Sequence, residues 1–233
     1  MIAILMAAGL GTRMAPLTDK IPKPLVKVHG KAMIETIIEG LEKRVEHIYV
    51  IVGYKKEQFK FLTKKYKKLS LIENPDFMTI NNISSIHAAR EVLGREDCFI
   101  CEADLYVSDT SIFQAELNHS CYYGKFVKGY SHDWVFEQDE TGRITRVGKN
   151  GNNLYNMCGI AWFKAYDAVI VKDAIEEAYT HPGAFETLFW DEIVDQQLKN
   201  INLTVYPVKQ NQIVEIDNIK ELEMVDPNYK EYN

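Results

Sequence analysis

Positive charge is scarce in this sequence relative to negative: 27 Lys and Arg stand against 33 Asp and Glu, a net charge of −6. That balance argues against a broad nucleic-acid surface, which needs cations to neutralise phosphates. Long apolar runs are also missing. Stretches such as Ile48 to Val52 suit strands and fall far short of the roughly 20 residues a membrane span requires. The apolar start, Met1 to Ala8, has no positive n-region and runs straight into glycine and charge. It reads as a strand and not a signal peptide, which leaves the cytoplasm as the expected compartment. Cysteine is sparse too, with four residues, Cys98, Cys101, Cys121 and Cys158. Cys98 and Cys101 form a C-x-x-C, but no second Cys/His pair completes a zinc site, and the run Asp97 to Cys101 reads as a buried strand. Core cysteines are expected. No low-complexity linker or internal repeat divides the chain, so residues 1–233 are expected to form one domain.

What is present is an alternation of short apolar runs and amphipathic stretches, in a chain that is 46% hydrophobic. Residues 2–7 predict a strand, and residues 31–44 a helix, with Met33, Ile34, Ile37, Ile38 and Leu41 at helical spacing. Residues 47–52 predict a second strand, closed by Gly53. A lysine-rich helix over 55–67 and a strand over 69–72 follow. Residues 83–93 predict a helix with Asn81 and Asn82 as candidate caps, and 97–103 an apolar strand. This β-α-β-α order predicts a mostly parallel sheet with right-handed crossovers. The second half predicts strands over 121–128, 133–138, 143–148 and 155–163, separated by turns such as Asn150-Gly151-Asn152-Asn153. Helices over 166–180 and 185–198, strands over 203–208 and 212–216, and a short helix over 219–225 complete it. The expected fold is α/β with an antiparallel elaboration.

The most informative segment is Ala7-Ala8-Gly9-Leu10-Gly11-Thr12-Arg13, followed by Pro22-Lys23-Pro24. A strand ending in small residues and two glycines lets backbone N–H groups approach phosphates. Arg13 adds a planar fork and Lys23 a point charge, both suited to charge spread over phosphate oxygens. A dinucleotide fingerprint would need G-x-G-x-x-G opening into a helix, and a P-loop would need G-K-S/T; neither is here. Two carboxylates at strand ends add the rest: Asp104, in Glu102-Ala103-Asp104, and Asp217, in Glu215-Ile216-Asp217-Asn218. Together they suit Mg²⁺, which takes one or two carboxylates beside phosphate oxygens. Asp217 also suits a helix cap.

The A-A-G-x-G-T-R…P-K pattern resembles the signature of the sugar-phosphate and choline-phosphate nucleotidyltransferases. The resemblance covers nearly the whole chain. It implies a Rossmann-like sandwich, a mixed but mostly parallel sheet flanked by helices, with residues 1–110 forming a nucleotide-binding half and 111–233 an acceptor half. Asp104 and Asp217 match the family's metal-binding positions. Asn81-Asn82-Ile83-Ser84-Ser85 resembles the N-N-x-x-S step of the bacterial choline-phosphate cytidylyltransferases, which places Asn82 and Ser85 at a pyrimidine edge. Glu186 to Asp191 resembles their L-Y-W-D run, with Phe189 where they carry Tyr.

The implied reaction joins CTP to phosphocholine, giving CDP-choline and pyrophosphate. The donor would lie on Ala7, Ala8, Gly9, Gly11 and Thr12, with Lys23 and Arg13 stabilising charge. Choline's quaternary ammonium donates no hydrogen bond and is held by aromatic faces. Trp134, Phe189 and Trp190 are the expected cage, with Asp191 and Glu215 as complementary charges; either Trp also suits a core role. The aminoethylphosphonate cytidylyltransferases share the glycine loop and an E-I-D-N run like Glu215 to Asn218. Their primary ammonium can use carboxylates without a full cage, and phosphoethanolamine is a further acceptor of that kind. A sugar-1-phosphate acceptor and a non-catalytic nucleotide-binding domain are further alternatives. Two weaker signals point elsewhere: the lysines between Lys55 and Lys68 read as a solvated face, and the six histidines show no metal spacing.

Overall fold

The structure, a computed structural model, describes residues 1–232. The elements are β1 (Ile2–Ala7), β2 (Lys27–Val28), β3 (Lys31–Ala32), α1 (Met33–Leu41), β4 (His47–Val52), α2 (Lys60–Lys65), β5 (Leu69–Glu73), α3 (Ile83–Ala88), β6 (Cys98–Glu102) and β7 (Leu105–Val107). The second half adds β8 (Cys121–Gln138), β9 (Ile144–Phe163), α4 (Ala165–Ala178), α5 (Trp190–Gln197), β10 (Thr204–Pro207), β11 (Ile213–Glu215) and α6 (Ile219–Val225).

Seven strands form one sheet in the order β10-β8-β9-β6-β1-β4-β5. β1 lies parallel between β4 and β6, and β5 extends the parallel run. β9 joins antiparallel to β6, and β8 antiparallel to β9. This is the expected mixed, mostly parallel sheet. A sheet covered on both faces needs strands apolar on both sides, and β1 shows it: Ala3, Leu5 and Ala7 enter one core, Ile2 and Ile4 the other. α1 and α2 cover the first face through Ile34, Ile38 and Leu62; α3, α4 and α5 cover the second through Ile86, Val171 and Val194. The four cysteines are buried and free, as core residues. Burial of such aliphatic side chains stabilises by roughly 1.5–3 kcal/mol each.

A smaller third cluster positions the chemistry. Met14, Val26, Val28 and Met33 pack with Ile216 and Leu222. It pins the segment after the glycine loop against the approach to α6, although nearly 200 residues separate the two in sequence. Beside it, the two-stranded sheet β11-β7 runs antiparallel, pairing Glu215 with Leu105.

Several elements differ from expectation. Residues 31 and 32 pair with 27 and 28 as a hairpin, so α1 starts only at Met33. Lys55 takes a left-handed conformation (φ 48°), and the helix expected over 55–67 becomes a 3₁₀ turn, Lys56–Phe59, followed by α2. α3 stops at Ala88. The four strands expected between 121 and 163 are two long ones. Asn150 and Asn153 adopt positive φ within β9, where the β8–β9 register shifts, instead of ending a strand. Asparagine tolerates that conformation, so a turn-like tetrapeptide is absorbed as an irregularity in a continuing ladder.

Candidate active site

β1 ends at Ala7, and the chain turns through Gly9 and Gly11 at the carboxyl end of the sheet. Gly11 has φ 64°, and a Cβ on it would lie 2.8 Å from the Lys23 Cβ. The turn therefore needs glycine twice over: for its left-handed backbone and for the close passage of Lys23. Thr18 Oγ1 donates to the Gly11 carbonyl and fixes the loop (2.9 Å). Thr12 to Met14 then make a single 3₁₀ turn.

Lys23 is the centre of the arrangement. Its side chain is 7% exposed, and Nζ donates to Asp104 Oδ2 and to Asp217 Oδ1, each at 2.7 Å. Arg13 Nη2 lies 2.8 Å from the same Asp217 oxygen, with its side chain 70% exposed in the cleft. Burial acts to lower the Lys23 pKa, but Asp104 and Asp217 outweigh it and hold it above its ordinary value. The ammonium is fully charged. Asp217 does not cap α6: Asn218 does, accepting from the Glu221 N–H. Asp217 is thereby free to face Lys23 and Arg13.

Two chambers meet at this cluster. The first, about 380 Å³, runs along Ala7 to Arg13 to the start of α3. Asn82 and Ser85 line it, and the oxygen of each already accepts one bond. Asn82 Oδ1 accepts from the Trp190 N–H (2.9 Å), tying α3 to α5, and Ser85 Oγ accepts from Asn74 Nδ2 (3.3 Å). Asn82 is the residue before α3, but its side chain makes no capping bond. The second chamber, about 560 Å³, lies between the β8–β9 ladder and β11, and holds Trp134, Phe189, Asp191 and Glu215. Arg13, Glu102, Asp104 and Asp217 line both.

The second chamber corrects one expectation. Trp190 is 3% exposed and packs on Tyr122 and Phe163 in the core, so it forms no wall of a cage. Trp134 and Phe189 do meet, edge to face at 5.4 Å. Asp191 is buried, accepting from the Tyr122 hydroxyl (2.9 Å), and desolvation pushes it up to about 7. Glu215 opens to the cleft, yet it is recessed enough that desolvation, aided by Asp104 and Asp217, pushes it up to about 7. Glu102 was not singled out from the sequence. Burial, then the charges of Asp104, Glu215 and Asp191, hold its carboxyl well above the usual range. Its only sequence signal was its position two residues before Asp104 at the end of β6.

Among the described residues, no group of three or more His, Cys, Asp or Glu side chains forms a metal cage. Mg²⁺ does not need one, because it binds through one or two carboxylates and phosphate oxygens. Asp104 and Asp217 fit that description: their oxygens converge on one cation, the Lys23 ammonium, amid an excess of negative charge.

A family model described as a MobA-like NTP transferase domain matches residues 3–145. The chain belongs to that family. This nucleotidyltransferase is 47% identical over 228 residues to the 2-aminoethylphosphonate cytidylyltransferase of Lancefieldella rimae, covering 97% of this chain and 92% of that one. It is 31% identical over 234 residues to the choline-phosphate cytidylyltransferase of Streptococcus pneumoniae, covering both chains in full. The solved structure of the CTP:phosphocholine cytidylyltransferase from Streptococcus pneumoniae superimposes with a TM-score of 0.88 over 98% of this chain and 99% of that one, at 31% identity. The chain is a cytidylyltransferase, and none of the helices among its described residues is long and apolar enough to cross a membrane.

Proposed function

We propose that this cytidylyltransferase takes CTP in the first chamber and 2-aminoethylphosphonate in the second, and releases pyrophosphate. The observation that carries the acceptor is the wall of the second chamber. With Trp190 in the core, two aromatic rings remain, while Glu102, Asp133, Asp191 and Glu215 supply carboxylates. A primary ammonium donates three hydrogen bonds, and charge-assisted bonds to carboxylates hold it better than two ring faces. The 47% identity to an enzyme named for that substrate points the same way.

The reaction follows from the placement. CTP phosphates lie on the 7–13 loop. An ionised phosphonate oxygen enters from the second chamber and attacks the α-phosphorus, forming one P–O bond as the bond to the β-phosphate oxygen breaks. Lys23 lines the first chamber and bonds two carboxylates of the shared wall, Asp104 and Asp217, and from there it orients both anions and offsets charge on the transferring cytidylyl phosphate. Arg13 reaches the departing pyrophosphate. A phosphonate is ionised near neutral pH, so no general base is required. Asp104 and Asp217 would hold Mg²⁺, which supplies Lewis-acid neutralisation of the phosphate oxygens when bound.

Phosphocholine is the second reading, favoured by the Trp134–Phe189 contact and by the 31% identical relative. Pyrophosphate release with each nucleoside triphosphate against 2-aminoethylphosphonate, phosphocholine, phosphoethanolamine and glucose-1-phosphate separates the readings. CTP with 2-aminoethylphosphonate should give the highest kcat/KM. Preference for phosphocholine establishes the second reading, and turnover of glucose-1-phosphate alone, or nucleotide binding without pyrophosphate release, rejects both.

A further inference from the structure

Lys149 stands in the ladder directly opposite Trp134. Its ammonium lies 5.7 Å from the Trp134 ring centroid and 5.5 Å from that of Phe189. The aromatic corner of the acceptor chamber is thus already faced by a cation of the chain itself. Among the described residues no carboxylate forms an ion pair with Lys149, although Asp133, Asp191 and Glu215 line the same chamber.

We propose that Lys149 is a specificity-determining residue: by filling the Trp134–Phe189 corner, it turns away quaternary ammonium headgroups and leaves the carboxylate wall to a primary amine. The inference rests on the acceptor chemistry proposed above and deepens it. A quaternary ammonium gains most of its affinity from ring faces. To reach this corner it must displace a tethered cation, which competes at a high effective concentration, or sit beside a like charge. A primary ammonium needs neither ring. It donates to carboxyl oxygens of the same chamber, Asp133 and Glu215, which open to the cleft. Specificity of this kind comes from the cost imposed on the wrong ligand as much as from contacts to the right one.

Two variants test it. Lys149→Met keeps the length of the side chain and removes its charge, while Lys149→Arg keeps the charge and the ring contact. Lys149 is exposed, so both are expected to fold. The first readout is the ratio of kcat/KM for phosphocholine to that for 2-aminoethylphosphonate. It should rise about tenfold in K149M, the size of one cation–π contact regained, and stay at the wild-type value in K149R. The second readout is a choline titration followed by tryptophan fluorescence, which needs no turnover. Trp162 and Trp190 are buried at 1% and 3% exposure, so Trp134 is the responsive ring, and choline should bind K149M more tightly than the wild type. If wild-type protein turns over neither acceptor, the proposed acceptor chemistry fails, but the choline titration still decides the role of Lys149. An unchanged ratio with unchanged choline affinity, or equal loss of both acceptors in K149M, overturns the proposal.

Discussion

At the residue scale, one buried ammonium connects every functional feature. Lys23 joins the glycine loop, the end of β6 and the approach to α6 through two 2.7 Å bonds. Lys23→Ala should lower kcat by about 10²–10³, the cost of losing one preorganised donor at a developing charge, in steady-state pyrophosphate release. Near-normal turnover would remove the core of the scheme. The raised carboxyls give a second test. Asp191 and Glu215 sit near 7, above their unfolded values. The stability they contribute is present below about pH 4 and is lost as pH rises through about 7. In ligand-free protein, Asp191→Asn should therefore lose less melting temperature than the wild type between pH 5 and pH 8; an equal or steeper loss contradicts the assignment. Lys23, Arg13, Asp104 and Asp217 were legible in the sequence because each belongs to a spaced motif. Trp190 was not. Phe189 and Trp190 are adjacent at the start of a helix, and only packing decides which ring faces the chamber and which enters the core.

At the element scale, the glycine loop is shaped by a conformation and a contact together. Gly11→Ala places a side chain at φ 64°, costing about 1–2 kcal/mol, and drives a Cβ against Lys23. Gly30 has φ 82° with nothing within 4 Å of a built Cβ. Both substitutions should lower the melting temperature, but only Gly11→Ala should cut kcat, by tenfold or more (roughly the cost of displacing a positioned group). Equal turnover in the two variants would show that the Lys23 contact carries nothing. The β1, β4 and α6 boundaries were legible from apolar runs and periodicity. The long ladder of β8 and β9 was not, because local turn chemistry at Asn150 and Asn153 says nothing of the partner strand that carries the sheet through it.

At the scale of the molecule, two chambers share a wall in which carboxylates outnumber cations, and Lys23, bonded to Asp104 and Asp217, compensates part of that excess. Two consequences separate here. Chelation of Mg²⁺ should abolish turnover, because the phosphates lose their neutralising partner. It should leave the melting temperature of the ligand-free protein unchanged, because Asp104 and Asp217 are already paired. A fall in melting temperature on chelation would mean that the metal is part of the fold. The mixed sheet was legible from the order of elements. The meeting of the chambers was not, since the Met14–Ile216 packing that creates it joins segments at opposite ends of the chain.

If a phosphonate oxygen from one chamber reaches the α-phosphorus held in the other, phosphorus NMR of the protein with Mg²⁺, CTP and 2-aminoethylphosphonate should show it directly. A new coupled phosphonate–phosphate pair should grow in step with pyrophosphate. Pyrophosphate without that pair would mean water is the acceptor, and an unchanged spectrum would mean no transfer occurs; either result contradicts the proposed reaction.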